Sequence, residues 1–144
     1  MHEIYPDLLW LGHALDVREP QGLFDVGINA VVDVAYDEPP AQLPRQLTYC
    51  RFPLVDGGGN NLELLALSVR TTVALLQAGT KTIVACSAGM SRSPTVASFA
   101  LAIYLGQDAQ DVVAEIAKSK QLELNPEFWS DVSKSLSRED LAEE

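Results

Sequence analysis

The sequence predicts a single α/β domain, with a central mixed, mostly parallel sheet of four to five strands and helices on both faces. Short apolar runs alternate with helix-like segments along the chain, and this alternation is typical of helices packed against a mostly parallel sheet. The run "TIVA" is apolar at nearly every position rather than at every second one, as expected for a strand covered on both faces. The 144 residues, 47% of them hydrophobic, suffice for one core.

Four segments have the composition of strands, and each is followed by turn or polar residues. They are 8–12, 28–35, 48–54 and 81–86. Helical spacing and end signals predict four helices. These are 61–79, a segment that begins near Arg92, and two segments capped by Asp108 and Asn125. Gly79 is a typical helix-ending glycine, and Pro94 suits a first turn, where its missing N–H costs nothing.

The charge of the chain excludes broad classes of partner. The net charge is -10 and the pI is near 4.5, whereas nucleic acids and anionic membranes bind cationic surfaces. The N-terminus lacks a signal peptide and a myristoylation glycine, and the longest apolar run is too short to span a bilayer. We therefore expect a soluble, cytoplasmic monomer with no nucleic-acid or membrane partner, and a solvated acidic tail at 137–144.

The chain has two cysteines, Cys50 and Cys86. Intracellular thiols stay reduced by default, so a packed thiol is the expected role of Cys50, and a redox pair with Cys86 is a minor alternative. Neither cysteine belongs to a CxxC pair, and both histidines lie far away in the sequence. A zinc site therefore has no support, and no cofactor is expected.

Cys86 lies in the segment "TIVACSAGMSRSPTV", where a buried strand ends and a helix begins near Arg92. The small residues between them, Ser87, Ala88, Gly89, Met90 and Ser91, let the backbone curl until its N–H groups point inward. Such a concavity at a helix N-terminus binds anions, and an arginine adds a planar fork that matches two phosphate oxygens. The segment is therefore a candidate phosphate-binding loop.

The positive electrostatic potential that favours an anion in this loop also stabilises a thiolate. Helix N-termini and neighbouring cations lower a cysteine pKa from about 8.5 to about 3.5–7.5. A thiolate at the base of a phosphate cradle indicates attack on phosphorus and a phosphocysteine intermediate. The Cys-to-Arg spacing alone is a weak signal, but the strand, the glycine, the hydroxyls of Ser91 and Ser93 and the helix are separate requirements, and all are present.

The segment "VACSAGMSRSPTVASFALAIY" resembles the signature of the dual-specificity branch of the cysteine-based protein tyrosine phosphatases. "YPDLLWLGHALDV" is similar to the opening strand of that family, "VGINAVVDVA" to its second strand, and "LELNPEFW" to its asparagine-proline-phenylalanine segment. The likeness covers residues 3–136. It implies a protein tyrosine phosphatase-like fold and a phosphomonoester hydrolase with phosphocysteine chemistry.

The resemblance also implies roles for residues outside the loop. Asp56 matches the general acid and base of the family, although a glycine turn alone would explain an aspartate there. Ser93 matches the hydroxyl that stabilises the leaving thiolate, and it could equally be a helix cap. Asn125 matches an asparagine that supports the phosphate loop and is also a good cap. Glu63 is the second candidate for the acid.

One position departs from the family pattern. The family has histidine directly before the nucleophile, where it helps to set the ionisation of the cysteine, whereas this chain has Ala85. We expect an active enzyme with slow turnover, because the backbone nest, the helix terminus, Arg92 and Ser93 are retained.

The predicted function is hydrolysis of phosphotyrosine, with phosphoserine and phosphothreonine proteins as a further substrate class. Cys86 is the nucleophile, Arg92 the phosphate clamp and Asp56 the acid and base. The expected ligands are a phosphorylated protein or small phosphomonoester and, in the loop, phosphate, sulfate or a similar oxyanion. A non-catalytic phospho-binding module remains the main alternative, and a sulfurtransferase or arsenate reductase is a weaker one.

Overall fold

The computed structural model describes residues 1–136 and contains five strands and six helices within that range. The strands are β1 (His2–Tyr5), β2 (Leu9–Gly12), β3 (Ala30–Asp33), β4 (Thr48–Arg51) and β5 (Thr82–Ala85). The helices are α1 (Ala14–Arg18), α2 (Pro20–Asp25), α3 (Leu62–Gln77), α4 (Arg92–Leu105), α5 (Ala109–Ala117) and α6 (Pro126–Ser135).

The five strands form one sheet in the order β1-β2-β5-β3-β4. The four strands β2, β5, β3 and β4 are parallel, and β1 pairs with β2 in the antiparallel sense. Gly12 and Asp33 flank Ala85 at the last paired position of β5. The carboxyl ends of the parallel strands therefore meet at one edge of the sheet, where ligands bind in open α/β folds.

Apolar side chains fill both faces of the sheet. The larger cluster joins alternate strand residues such as Leu11 and Val84 to α3, α4, α5 and α6. The smaller cluster joins Ile83 and Val31 to Val17 of α1 and to Leu23 of α2. Adjacent residues of β5 thus enter opposite cores, and this explains why the strand is apolar at consecutive positions.

The α/β fold with a mixed, mostly parallel sheet is confirmed, and the four predicted strands and four predicted helices all form. Three elements were not predicted: β1, α1 and α2. They have only 4, 5 and 6 residues, so they are too short to show a hydrophobic period. The predicted acidic tail at 137–144 lies outside the described residues. In residues 1–136 no helix combines the length and apolarity needed to cross a bilayer.

Candidate active site

The segment between β5 and α4 forms a tight loop at the carboxyl edge of the sheet. β5 ends at Ala85, Ser91 is the N-cap of α4, and the helix begins at Arg92. Gly89 has φ of +75°, and a Cβ atom there would lie 3.0 Å from the carbonyl oxygen of Gly12. A residue without a side chain is therefore required for both conformation and space.

Cys86 lies at the base of this loop and is only 3% exposed. Its Sγ accepts hydrogen bonds from the backbone N–H of Gly89 at 3.3 Å and of Ser93 at 3.4 Å. The Oγ of Ser93 is 3.2 Å from the same sulfur. The loop and the first turn of α4 thus direct polar groups toward one sulfur.

Arg92 is buried, with a side chain 7% exposed, although it is always charged. Its Nη1 donates to the carbonyl oxygen of Leu54 at 2.7 Å and to Oδ1 of Asp37 at 2.8 Å. These two acceptors hold the guanidinium through one nitrogen. The Nε and Nη2 edge can therefore serve a bidentate oxyanion.

Asp37 forms hydrogen bonds to both ends of the loop, to Ser87 and to Arg92. Its Oδ2 accepts from Oγ of Ser87 at 2.9 Å, while its Oδ1 accepts from Arg92. The hydrogen bond from Arg92 is the main cause that lowers the pKa of Asp37 below its ordinary value. The neighbouring Glu38 also accepts from Ser87, at 3.0 Å, and forms an ion pair with Arg18. Two carboxylates thus lie beside Ser87 at the mouth of the candidate anion-binding loop.

Asp56 is attached to the loop through Ser91. The Oγ of Ser91 donates to Oδ1 of Asp56 at 2.7 Å and accepts from the backbone N–H of Asn125 at 3.0 Å. Nδ2 of Asn125 lies 3.5 Å from the carbonyl oxygen of Asp56. The structure therefore brings Asp56 and Asn125 to the same hydroxyl of the candidate phosphate-binding loop.

Hydrogen bonds hold the glycine-rich segment that follows Asp56 in place. Asn60 accepts from the backbone N–H of Val55 and donates to its carbonyl oxygen, both at 2.8 Å. The N–H of Gly59 donates to Asp131 of α6 at 3.4 Å. These contacts fix the turn that carries Asp56.

Asn125 and Ser93 were both also predicted as possible helix caps, and only Asn125 is one. Asn125 is the N-cap of α6, because its side chain accepts from the N–H of Phe128 at 3.0 Å. Ser93 is not a cap: Ser91 holds that position, and Ser93 is the second residue of α4, fully buried, with its hydroxyl toward Cys86. Glu63, the second acid candidate, lies in the first turn of α3.

Ala85 points away from the sulfur, into the smaller core. It borders a cavity of about 10 Å³, which is about the space of one water molecule. The buried Asp33 also lines this cavity, and its Oδ2 accepts from the phenol of Tyr49 at 2.6 Å. Burial, together with this bond, raises the pKa of Tyr49 to about 12.

Cys50 is half-buried in β4, and burial raises its pKa. Both cysteines are free thiols. In residues 1–136 no group of three or more His, Cys, Asp or Glu side chains is arranged to hold a metal ion.

The contacts of Asp37 and the carbonyl of Leu54 were not predicted. A signal for Asp37 does exist in the sequence, because "DVAYDEPP" places two acidic residues a few positions after the end of β3, a strand parallel to β5. The carboxyl ends of parallel strands share one edge. The role of the Leu54 carbonyl has no signal in side-chain chemistry, because every residue carries a backbone acceptor.

A buried cysteine and a buried arginine on one loop between a strand and a helix are the arrangement expected of a cysteine-based phosphatase, and the comparison with solved structures finds the fold of that class. Human DUSP28 superimposes with a TM-score of 0.81, at 26% identity over 94% of both chains. A mouse protein described as a dual-specificity phosphatase, solved with zinc tungstate, gives a TM-score of 0.80, at 24% identity over 92% of this chain and 84% of that chain.

The human tyrosine phosphatase-like serine/threonine/tyrosine-interacting protein gives a TM-score of 0.78, at 20% identity over 93% of both chains. No family model and no curated protein sequence matches the chain. The chain has the dual-specificity phosphatase fold, so the resemblance inferred from the signature segment is confirmed at the level of the fold.

Proposed function

We propose that this protein is a cysteine-dependent phosphomonoester hydrolase that acts on phosphotyrosine, with phosphoserine and phosphothreonine proteins as a second substrate class. The observation that carries the proposal is the sulfur of Cys86, which accepts from the N–H groups of Gly89 and Ser93 and lies 3.2 Å from the Ser93 hydroxyl, in a loop that also holds the buried Arg92. The tungstate bound to the mouse protein of the same fold is a phosphate-like oxyanion. It supports an oxyanion as the ligand of this loop.

In the first step, the Cys86 thiolate attacks the phosphorus atom. A sulfur–phosphorus bond forms while the bond from phosphorus to the leaving oxygen breaks. Arg92 and the N–H groups of residues 87–91 bind the three non-bridging oxygens, where negative charge is spread in the transition state. Asp56, protonated at this stage, gives its proton to the leaving oxygen.

In the second step, water attacks the phosphocysteine, and Asp56, now ionised, accepts its proton. The sulfur–phosphorus bond breaks, and phosphate and the thiolate are released. The hydroxyl of Ser93, 3.2 Å from the sulfur, stabilises the thiolate as it leaves. Ser91 and Asn125 are positioning residues, since they hold the loop and the Asp56 segment together.

The test is hydrolysis of p-nitrophenyl phosphate by the wild type and three variants. We expect Cys86→Ser to have no activity above background and Asp56→Asn to lose about 10²–10⁴-fold in kcat. Cys50→Ser is the matched control, because Cys50 is the other thiol and lies in β4; we expect it to retain activity. Full activity in Cys86→Ser would refute the assignment.

A second candidate function is capture of phosphorylated proteins without turnover. Ala85 favours it, because the chain lacks the histidine that the resembling family has directly before the nucleophile. Stoichiometric binding of a phosphotyrosyl peptide by the wild type, with no release of phosphate, would establish this alternative. Transfer of sulfur from thiosulfate to cyanide would instead identify a sulfurtransferase, and reduction of arsenate an arsenate reductase.

A further inference from the structure

A groove of about 870 Å³ lies between β1 and α5, and the C-terminal half of α4 forms part of its lining. We refer to it as the edge groove, bounded by His2–Tyr5 on one side, by the Asp108, Asp111 and Glu115 side of α5 on the other, and by Leu101 and Leu105. No residue of the catalytic loop lines it. The groove therefore has no part in the proposed chemistry.

The edge groove runs along the edge of β1. All four residues of β1 line it, although successive side chains of a strand point to opposite faces of a sheet. A groove that touches every residue follows the strand edge rather than one face. β1 pairs with β2 on its other side, and within residues 1–136 no strand pairs with the edge that faces the groove.

The rim of the edge groove is acidic. Glu3, Asp108, Asp111 and Glu115 all line it. Glu115 pairs with Lys118 at 2.9 Å on the exposed surface of α5. The one histidine of the lining, His2, forms a hydrogen bond of 3.0 Å to Ser119. Carboxylates thus outnumber cations around the groove, in a protein with a net charge of -10.

The wall that connects the two sides is apolar. Leu101 and Leu105 of α4 and Val112 and Ile116 of α5 contribute to it, together with Ile4 of β1. Val112 and Ile116 are each only 5% exposed. An extended ligand would therefore have the backbone of β1 along one side, carboxylates along the other, and apolar contacts beneath it.

We propose that the edge groove binds an extended, basic segment of a partner protein, which adds as a sixth strand to β1. An unpaired strand edge is a template for pairing with another chain. The four residues of β1 span about 13 Å, so they fit a segment of four to five residues. Lysine or arginine side chains of that segment face the rim carboxylates, and its apolar side chains face α4 and α5. A second copy of this acidic chain is repelled by the same rim.

The experiment uses an unphosphorylated peptide, so that it does not depend on the proposed phosphatase activity. The probe is a fluorescein-labelled heptapeptide of alternating lysine and valine, titrated with the Cys86→Ser protein and followed by fluorescence anisotropy. Two matched peptides carry glutamate in place of lysine, or N-methyl groups on alternate backbone nitrogens. We expect binding of the first peptide and at least tenfold weaker binding of both others, because they lose the charge and the strand donors respectively.

The variant Asp111→Lys/Glu115→Gln removes two of the three carboxylates on the α5 side of the groove. We expect it to bind the lysine peptide about tenfold more weakly and to hydrolyse p-nitrophenyl phosphate at the wild-type rate. The variant Asp25→Lys/Glu19→Gln changes the net charge equally but lies at α2, on the other face of the sheet. We expect it to bind the peptide as the wild type does. Amide chemical shifts should change most at His2–Tyr5.

Three results would overturn the proposal. Equal weakening of peptide binding by the two charge variants would indicate attraction by net charge alone. Binding of the N-methylated peptide as tight as that of the unmodified peptide would exclude strand addition. Shift changes centred on Asp37 and Glu38 instead of β1 would assign the peptide to the catalytic mouth. An inactive wild type that still binds through β1 would refute the proposed function and leave this inference standing.

Discussion

The replacement Asp37→Asn tests the electrostatics of the catalytic mouth. Asparagine keeps a carbonyl oxygen for the bond to Nη1 of Arg92 and removes the charge, while its NH2 group replaces the oxygen that accepts from Ser87. An oxyanion on the Nε and Nη2 edge of that arginine would lie roughly 6 Å from the Asp37 carboxylate, since both are hydrogen-bonded to one guanidinium. Under the proposed function, a substrate dianion would therefore bind beside a fixed negative charge in the wild type.

The size of the effect follows from Coulomb's law. A dianion and a carboxylate about 6 Å apart repel each other by about 1.4 kcal/mol with the dielectric constant of water, which applies because Asp37 is 58% exposed. Salt near 0.1 M reduces this by about half. The exposed ion pair between Asp37 and Arg92 contributes about 0.2–1 kcal/mol. The asparagine carbonyl retains most of that contribution, so its partial loss opposes the gain in tungstate affinity only weakly. Halved by salt, the repulsion is about 0.7 kcal/mol, which corresponds to a factor of about three. We expect Asp37→Asn to bind tungstate about two- to threefold more tightly.

The assay is competitive inhibition of p-nitrophenyl phosphate hydrolysis by tungstate, at 0.05 M and 0.5 M salt. The increase in tungstate affinity of Asp37→Asn over the wild type should be smaller at the higher salt concentration. It should be constant between pH 5 and pH 8, because the bond from Arg92 lowers the pKa of Asp37 and the carboxylate stays ionised throughout that window. Glu38→Gln is the matched control, with a smaller gain expected because Arg18 already neutralises Glu38. Weaker tungstate binding by Asp37→Asn would refute the reasoning and make Asp37 a positioning residue for the guanidinium.

Three further predictions concern stability and the shape of the site. Tyr49→Phe should lower the free energy of unfolding by about 1.5–3 kcal/mol in urea titrations, because it leaves the buried Asp33 carboxylate without its phenol donor. Gly89→Ala should abolish most phosphatase activity while Gly57→Ala does not, since a Cβ at Gly89 meets a backbone carbonyl at 3.0 Å and a Cβ at Gly57 meets nothing. Ala85→His should destabilise the fold by about 1–3 kcal/mol, because the adjoining cavity holds only about 10 Å³.

The Tyr49 prediction has a pH signature. The folded pKa of about 12 lies above the ordinary value near 10, so the protonated phenol contributes stability that is fully present below pH 10 and is lost as the pH rises toward 12. Wild-type stability should fall more steeply than that of Tyr49→Phe across this window. Equal slopes would contradict the bond to Asp33. For Ala85→His, a melting temperature unchanged from the wild type would show that the smaller core can accommodate an imidazole.

Local signals in the sequence determined most of the fold and the centre of the site. Helix-cap residues and apolar periods predicted α3, α4, α5 and α6 because these signals act within a few residues. The segment from Thr82 to Val96 combines strand, glycine, nucleophile and arginine in one stretch, so its loop could be predicted without knowledge of the rest of the chain. The short elements β1, α1 and α2 carry too few residues for such signals.

The family resemblance implied Asp56 and Asn125 as partners of this loop, and the tertiary structure decided how these and other distant residues contact it. Parallel pairing of β3 with β5 brings the segment after Asp33 to the catalytic edge, and so Asp37, 55 positions before Arg92, binds its guanidinium. Packing of α6 places Asn125 on the hydroxyl of Ser91 that also holds Asp56. The edge groove likewise exists only because antiparallel pairing puts β1 at the end of the sheet. Contacts between residues far apart in sequence depend on sheet order and helix packing, and a single sequence contains no local signal for either.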